Sequence, residues 1–273
     1  MTVPLHDLTV VLTSFALRQE YMAELDGMIA TVKRFHPTWP IVVGRGTNSD
    51  DQVIFELDSP IGRCRWIVPA PVFLNGSSED WRKITRLKAW WISEVWREYG
   101  GLADPSRNRV LWLDADARLN GSLDFEVDPK AELIAGPWWV YPKEESAPDT
   151  IASGLLFLQG HQHGPVQDLL QTWRRECLIQ AQDLPGSIPP WPDGDQEVLT
   201  WILEERLKSR HDFILHKLDF DRYCGAVNCD GTRIRGTLVD QWQMSRRMLH
   251  NQEGWPPPEE SRKGPQDIPK PGR

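Results

Sequence analysis

The chain has 273 residues and a modest acidic excess, with 39 Asp and Glu against 31 Lys and Arg and a formal net charge of -8. That length suits one large α/β domain with a tail, or two small domains. The balance of charge, without a long block of one sign, argues against a broad nucleic-acid-binding surface. No apolar run is long enough to form a transmembrane helix.

Strand and helix patterns alternate along the chain, and the spacing of apolar residues tells them apart. Short apolar runs rich in β-branched residues predict buried strands, and apolar residues at helical spacing predict helices that cover them. The predicted strands are 8–14, 39–44, 63–71, 109–114, 150–159 and about 213–218. The predicted helices are 18–36, about 77–99, 164–181 and one from about Asp195.

This alternation predicts an α/β fold in which helices flank a central, mostly parallel sheet. Residues 1–254 are predicted to form one domain, with a proline-rich loop over 185–194. From Trp255 the chain is rich in proline and charge, so residues 255–273 are predicted to be an extended or disordered tail.

The cysteines and the N-terminus predict a cytoplasmic protein. Cys224 and Cys229 are close together, but no second pair stands at the spacing of a zinc site, so free thiols in a reducing compartment are expected. The N-terminus lacks the basic and apolar regions of a signal peptide.

The residues that carry chemistry follow the fourth predicted strand, in RVLWLDADARL. The apolar run stops at Asp114 and Asp116, and carboxylates this close repel one another unless something positive lies nearby. In α/β sheets, ligands bind beyond the carboxyl ends of the strands. Residues two apart in an extended chain point the same way, so both carboxylates can face one ion. Such oxygen ligands suit Mg²⁺ or Mn²⁺, which commonly bridge carboxylates to substrate phosphates.

Two acids separated by one residue are, in isolation, most often a surface turn or a helix cap. Here an apolar strand leads directly into the pair, and Arg109 and Arg118 flank it. This context favours a functional site.

Several stretches occur in the order typical of one enzyme family. RVLWLDADARL resembles the D-x-D strand of GT-A-fold glycosyltransferases, which use nucleotide-sugar donors and a divalent metal. MLHNQEGWP is similar to the C-terminal histidine segment of the family-8-like retaining enzymes, the glycogenin and lipopolysaccharide galactosyltransferase type. The resemblance spans roughly Leu8 to Trp255. Its other segments are TSFALRQEYMAEL, ITRLKAWWISEVW, IASGLLFLQ and PDGDQEVLTWIL.

The resemblance implies roles for particular residues. The nucleotide would lie against the first strand, the helix before the D-x-D strand would bring basic groups to the donor, and later stretches would contact the sugar. The residues implied for donor binding are Thr13, Ser14, Phe15, Arg86, Lys88, Asp114, Ser153 and Gly154. Those implied for sugar contacts and catalysis are Asp193, Asp195 and Gln196. Those implied as metal ligands are Asp114, Asp116 and His250.

Each of these residues also has an ordinary structural interpretation. Arg86 and Lys88 could lie on a solvated helix face, and Asp195 could be a helix N-cap. His250 could be a surface or core histidine. Three tryptophans in loop-like contexts could be core residues or could stack on a sugar or a base. They are Trp138, Trp139 and Trp191.

One departure from the family concerns the donor phosphate. After the histidine the family usually carries a Gly-x-x-Lys-Pro-Trp run, whose lysine meets the phosphate. Residues 251–256 contain no lysine, so that charge would be met by Lys88, Arg246 or Arg247.

The resemblance implies a glycosyltransferase that uses Mn²⁺ or Mg²⁺ and a nucleotide-sugar donor, most commonly a uridine diphosphate sugar. Retention at the sugar is expected, because no acid stands out as a dedicated general base. The acceptor could be a glycan, a small molecule or a modified DNA base, the last because the C-terminal third is rich in arginine. Two alternatives stay open: a D-x-D phosphohydrolase of the haloacid-dehalogenase type, and a non-catalytic sugar-binding module rich in tryptophan.

Overall fold

The computed structural model describes residues 1–17, 19–49, 52–68, 79–139, 150–181, 195–207, 212–224, 226–227, 233–234 and 238–241. Its α-helices are α1 (Gln19–Phe35), α2 (Glu79–Glu98), α3 (Pro165–Ala181), α4 (Asp195–Leu207) and α5 (Phe220–Tyr223). Its strands are β1 (Val3–Pro4), β2 (Val11–Ala16), β3 (Ile41–Ser49), β4 (Gln52–Ser59), β5 (Gly62–Val68), β6 (Asn108–Leu113), β7 (Ala117–Leu119), β8 (Glu126–Val127), β9 (Leu133–Trp139), β10 (Thr150–Ile151), β11 (Leu155–Gly160), β12 (Ile214–Asp219), β13 (Ala226–Val227), β14 (Arg233–Ile234) and β15 (Val239–Gln241). Short 3-10 turns occur at Leu5–Asp7 and Gly100–Leu102.

The main sheet has the strand order β10-β9-β11-β6-β2-β3-β4-β5, with β12 also paired to β9. The predicted α/β fold is confirmed. The predicted parallel arrangement holds at the centre, where β2 pairs in parallel with β3 and with β6, and again between β9 and β12. The flanking pairs, β3 with β4, β4 with β5, and β11 with β6 and β9, are antiparallel. The carboxyl ends of the three central strands therefore meet at one edge.

Two apolar layers cover the faces of this sheet. Alternate residues of a strand face opposite sides. In β6, Val110 and Trp112 pack with α2, α3 and α4, whereas Leu111 and Leu113 pack with α1. Each fully buried side chain of this kind contributes roughly 1.5–3 kcal/mol to the hydrophobic stabilisation. The packing fixes the end of β6 between the two helical layers.

Most predicted elements coincide with observed ones, but several strands were not predicted, and two of these, β4 and β9, belong to the main sheet. β4 pairs with β3 and β5, and β9 pairs with β10, β11 and β12. The predicted strand 150–159 consists of β10 and β11 with a turn between them. None of the described helices combines the length and hydropathy that a membrane crossing requires. The predicted tail, 255–273, lies outside the described residues.

Candidate functional site

A tight turn follows β6 and carries the two carboxylates. The N–H of Asp114 donates to the carbonyl of Gly154 at 2.9 Å, and the N–H of Ala117 donates to the carbonyl of Asp114 at 2.9 Å. This second bond closes a β-turn. The prediction that an extended chain carries both acids is therefore wrong, because the backbone turns here to enter β7. The carboxylates still interact: partial burial raises the pKa of Asp114, the charge of Lys88 lowers it, and the charge of Asp116 raises it.

Asp114 is anchored through one of its two carboxylate oxygens. Its Oδ1 accepts a hydrogen bond from Nε1 of Trp112 at 2.9 Å and contacts Nζ of Lys88 at 3.0 Å. The side chain is 34% exposed. The protein thus fixes Oδ1, and the exposed part of the carboxylate is accessible to a ligand.

Lys88 of α2 supplies a positive charge to Asp114 and to Asp195. Its side chain is buried, and Nζ lies 3.0 Å from Asp114 Oδ1 and 3.0 Å from Asp195 Oδ2. Nζ also donates to Oγ and to the carbonyl of Ser153, at 3.0 and 3.2 Å. Burial alone would lower the pKa of Lys88, but the two carboxylates raise it above its ordinary value. The alternative of a solvated helix face is therefore wrong for Lys88. We call Lys88, Asp114, Asp116, Ser153 and Asp195 the Lys88 cluster.

The first two residues of α4 bind the turn between β10 and β11. Asp195 is buried, and its Oδ2 accepts a hydrogen bond from Oγ of Ser153 at 2.7 Å. Oε1 of Gln196 accepts from the N–H of Ser153 at 3.3 Å. Asp195 lies in the first turn of α4, where the helix dipole favours a negative charge. The structure therefore brings Lys88, Asp114, Ser153 and Asp195 together from four separate parts of the chain.

The residues predicted to lie against the nucleotide occupy the interior of the sheet. Oγ1 of Thr13 donates to a carbonyl of β3 at 2.8 Å and accepts from Nε1 of Trp91 at 2.8 Å. Oγ of Ser14 donates to the carbonyl of Leu113 at 2.6 Å. Thr13 and Ser14 are completely buried, so they join β2 to its neighbours rather than face a ligand. Phe15, which is 8% exposed, remains the candidate for a base contact.

The remaining predicted residues are only partly described. Arg86 is half-buried. Burial and Asp195 raise the pKa of Cys177 in α3, and Arg86 opposes this shift, so Arg86 lies near α3. Its role in donor binding stays a prediction. Trp138 is buried in the core. Outside the described residues lie Asp193, Trp191 and His250.

A second buried ion pair supports the turn from the side of α1. Arg118 of β7 pairs through Nη2 with the carboxylate of Glu24. Its Nη1 donates to the carbonyls of Ala117 at 2.8 Å and Glu24 at 3.1 Å. Gly27 packs directly on the guanidinium, since a Cβ there would be 2.4 Å from Nη2. We call Arg118, Glu24 and Gly27 the Arg118 clamp.

Gln241 of β15 is a site residue that sequence reasoning missed. β15 pairs with β7 so that Gln241 lies opposite Ala117, and its side chain is buried. The amide lies against Gly154: a Cβ at 154 would be 2.7 Å from Nε2 and 2.8 Å from Cδ. Gly154 therefore leaves the room that Gln241 fills. No local pattern could identify Gln241, because the contact depends on the pairing of β15 with β7.

The two acids of the turn offer carboxylate oxygens to a divalent ion. Mg²⁺ often takes only one or two protein carboxylates and completes its coordination with water and substrate phosphates. Among the described residues no group of three His, Cys, Asp or Glu side chains is arranged to hold an ion. The exposed carboxylate of Asp114 and that of Asp116 fit an open site of this kind.

No known family profile matches the chain, and no curated protein matches it. Among solved structures it is similar to the apo form of glycosyltransferase GlyE from Streptococcus pneumoniae TIGR4, with 10% identity and a TM-score of 0.39; the match covers 78% of this chain and only 46% of that one. It is also similar to galactosyltransferase LgtC in complex with donor and acceptor sugar analogs, with 16% identity over 79% of this chain and 76% of that one and a TM-score of 0.41. An active-site mutant of LgtC matches with 16% identity over 79% and 75% of the two chains and a TM-score of 0.39. Matches at these scores do not define a family for the chain.

Proposed function

We propose that the protein is a glycosyltransferase that moves a sugar from a nucleotide diphosphate to an acceptor, with a divalent ion held by Asp114 and Asp116. The observation that carries the proposal is the charge of the Lys88 cluster. Three carboxylates accompany one ammonium group at the carboxyl end of β6, the edge at which α/β sheets bind ligands. A partly buried excess of negative charge favours a bound cation. The sequence resemblance assigns Lys88, Asp114 and Ser153 to donor binding. It assigns Asp116 to the metal and Asp195 to sugar contacts and catalysis.

The residues of the Lys88 cluster would have different roles in the reaction. A divalent ion at the turn would neutralise charge on the departing diphosphate. Lys88 holds Oδ1 of Asp114 in place, so that the rest of this carboxylate can be directed at the ion without rearrangement. A site that is organised in advance in this way avoids reorganisation during the reaction. His250 is proposed as a third ligand.

Retention at the sugar is supported by the state of Asp195. A general base for an inverting reaction must lie within hydrogen-bond reach of the acceptor hydroxyl. The carboxylate oxygen Oδ2 of Asp195 is already engaged by both Lys88 and Ser153. It is therefore poorly placed to take a proton from an acceptor. We propose that Asp195 and Gln196 order the sugar pocket with Ser153 and Gly154, and that the departing phosphate takes the proton.

For the donor we propose a uridine diphosphate sugar, with the base near Phe15. The proposed acceptor classes are a glycan, a small molecule and a modified DNA base, and the proposed location is the cytoplasm. We also propose a catalytic role for Asp193 and a donor-binding role for Arg86. The proposed ion is Mn²⁺ in preference to Mg²⁺.

A panel of nucleotide sugars tests the reaction class. The protein is incubated with uridine, guanosine and cytidine diphosphate sugars, with Mn²⁺ or with a chelator, and the products are followed by mass spectrometry and proton NMR. We expect slow release of uridine diphosphate that requires the ion, and an α-linked first product from an α-linked donor when an acceptor is found.

The same panel separates the alternatives. Release of inorganic phosphate would indicate a phosphohydrolase. Tight sugar binding without any release would indicate a binding module. A β-linked first product would leave glycosyl transfer standing and overturn retention.

A further inference from the structure

Gln241 carries a buried amide whose hydrogen-bonding capacity is not met. Its Nε2 has no hydrogen-bond partner in the described part of the chain, and the residue is 3% exposed. An N–H group that is removed from water without a new partner destabilises the folded state. Such groups are few in native proteins, and each calls for a physical reason.

The position of this amide points to the candidate site. Gln241 lies opposite Ala117 across the β15–β7 pair, and the N–H of Ala117 closes the turn that bears Asp114. Its side chain packs on Gly154, whose carbonyl accepts from the N–H of Asp114. Gln241 therefore lies opposite the residue that follows Asp116. It also packs against the residue whose carbonyl accepts a hydrogen bond from Asp114.

A second buried glutamine shows how the same fold satisfies this side chain elsewhere. Gln159 of β11 is completely buried. Its Nε2 donates to the carbonyls of Asp128 and Ala131 at 2.8 and 3.0 Å, and its Oε1 accepts from Arg109 at 3.2 Å. A glutamine with a purely structural role is thus fully bonded here, whereas Gln241 is not.

We propose that the amide of Gln241 donates a hydrogen bond to an oxygen of the bound donor, on the diphosphate or on the transferred sugar. The proposal rests on the proposed function, because it assumes that a donor binds at the turn. It makes Gln241 a binding residue that the chain retains at a cost in stability. Phosphate and hydroxyl oxygens are both good acceptors for an amide N–H.

The test replaces Gln241 by an apolar residue of similar shape, with Gln159 as the matched control. Without ligand, Gln241→Met should raise the melting temperature by about 2 °C or more, since it removes an unpaired buried group. Gln159→Met should lower it, since it removes three hydrogen bonds of a buried side chain, to Asp128, Ala131 and Arg109.

Donor binding is measured by calorimetry on the same variants in the presence of Mn²⁺, with uridine diphosphate and with uridine diphosphate glucose. Gln241→Met should weaken binding by about tenfold, the equivalent of one good hydrogen bond to a charged group. Gln159→Met should bind as the wild type does. Weakening with both ligands identifies a diphosphate oxygen, and weakening with the sugar nucleotide alone identifies a sugar hydroxyl.

The outcomes separate this inference from the function on which it rests. Wild-type protein that binds neither ligand overturns the proposed function and this inference with it. Wild-type binding that Gln241→Met leaves unchanged overturns the inference alone. A lower melting temperature in Gln241→Met also overturns it, because the amide would then support the fold.

Discussion

Two sets of buried charges adjoin the turn after β6, and they are built differently. The Arg118 clamp has one guanidinium and one carboxylate, 8% and 4% exposed, and the guanidinium also bonds to backbone carbonyls. The Lys88 cluster has one ammonium group and three carboxylates, and the side chain of Asp114 is 34% exposed. The clamp is neutral and enclosed, whereas the cluster is negative and open.

This difference distinguishes a structural role for the Arg118 clamp from a ligand-binding role for the Lys88 cluster. A buried ion pair whose charges and hydrogen bonds are all satisfied holds two elements together and offers nothing to a ligand. A cluster with surplus charge and exposed oxygens can accept a cation from outside the chain. The side of the turn that faces α1 therefore supports the fold, and the side that faces α2 and α4 can accept a ligand.

The largest expected effect comes from removing one carboxylate of the Lys88 cluster. Asp116→Asn should lower the rate of sugar transfer by roughly 10²-fold or more, because metal-ion stabilisation of the leaving group is worth several kcal/mol. The fold should stay intact, since the change keeps the size and shape of the side chain. Asp7→Asn, at an exposed position, is the matched control. Full activity in Asp116→Asn, or undiminished turnover after exhaustive chelation, contradicts the assignment.

Removal of either cation should destabilise the protein, but Mn²⁺ should restore stability in only one of the two variants. Lys88→Met and Arg118→Met each leave buried carboxylates uncompensated, so each should lower the free energy of unfolding by about 3–5 kcal/mol. Mn²⁺ should restore part of the stability of Lys88→Met, because an ion can replace the lost charge in the open cluster. It should not restore Arg118→Met. Urea unfolding with and without Mn²⁺ measures both, and equal rescue of the two variants would show that the regions do not differ.

The smallest effect is an acid sensitivity confined to the α1 side. His36 is buried and stacked on Trp39, and its Nε2 accepts from the N–H of Leu123 at 3.1 Å. Burial, together with the charge of His6, lowers the pKa of His36 to about 4. The unfolded chain takes up this proton first, so stability that is present above about pH 6.5 is lost as the pH falls towards 4, by up to about 3 kcal/mol.

The variant His36→Gln checks this origin, because its amide oxygen can still accept from Leu123 while it cannot titrate. Urea unfolding between pH 7 and 4 should show a flatter profile for the variant than for the wild type. An unchanged profile would assign the acid sensitivity to other groups. Mn²⁺ affinity at pH 7 should be the same in both proteins.

Local patterns sufficed for the elements of this fold that are long and one-sided. The apolar spacing of Leu87, Trp91 and Val95 predicted α2, and the apolar run before Asp114 predicted β6. β4 was missed although Val53, Phe55 and Leu57 alternate with more exposed residues, as a half-buried strand requires. The antiparallel flanks of the sheet could not be predicted, because pairing is decided between distant segments.

The same limit on prediction from local sequence patterns applies to the candidate site. The acids of the turn were recognisable because a strand led directly to them. That Lys88 binds Asp114 and Asp195, and that Thr13 and Ser14 face inward, depends on how α2, α4 and β2 pack. The turn itself was missed because one backbone hydrogen bond, from Ala117 to Asp114, decides between an extended and a reversed chain.

The spacing of the cluster along the chain has a consequence for folding. Lys88 and Ser153 are 65 residues apart, and Ser153 and Asp195 are 42 apart. Contacts over such separations form late, because the entropy lost in closing long loops must first be overcome. The cluster is therefore absent from any early folding intermediate that lacks α4. A ligand that binds it therefore stabilises only the completed fold.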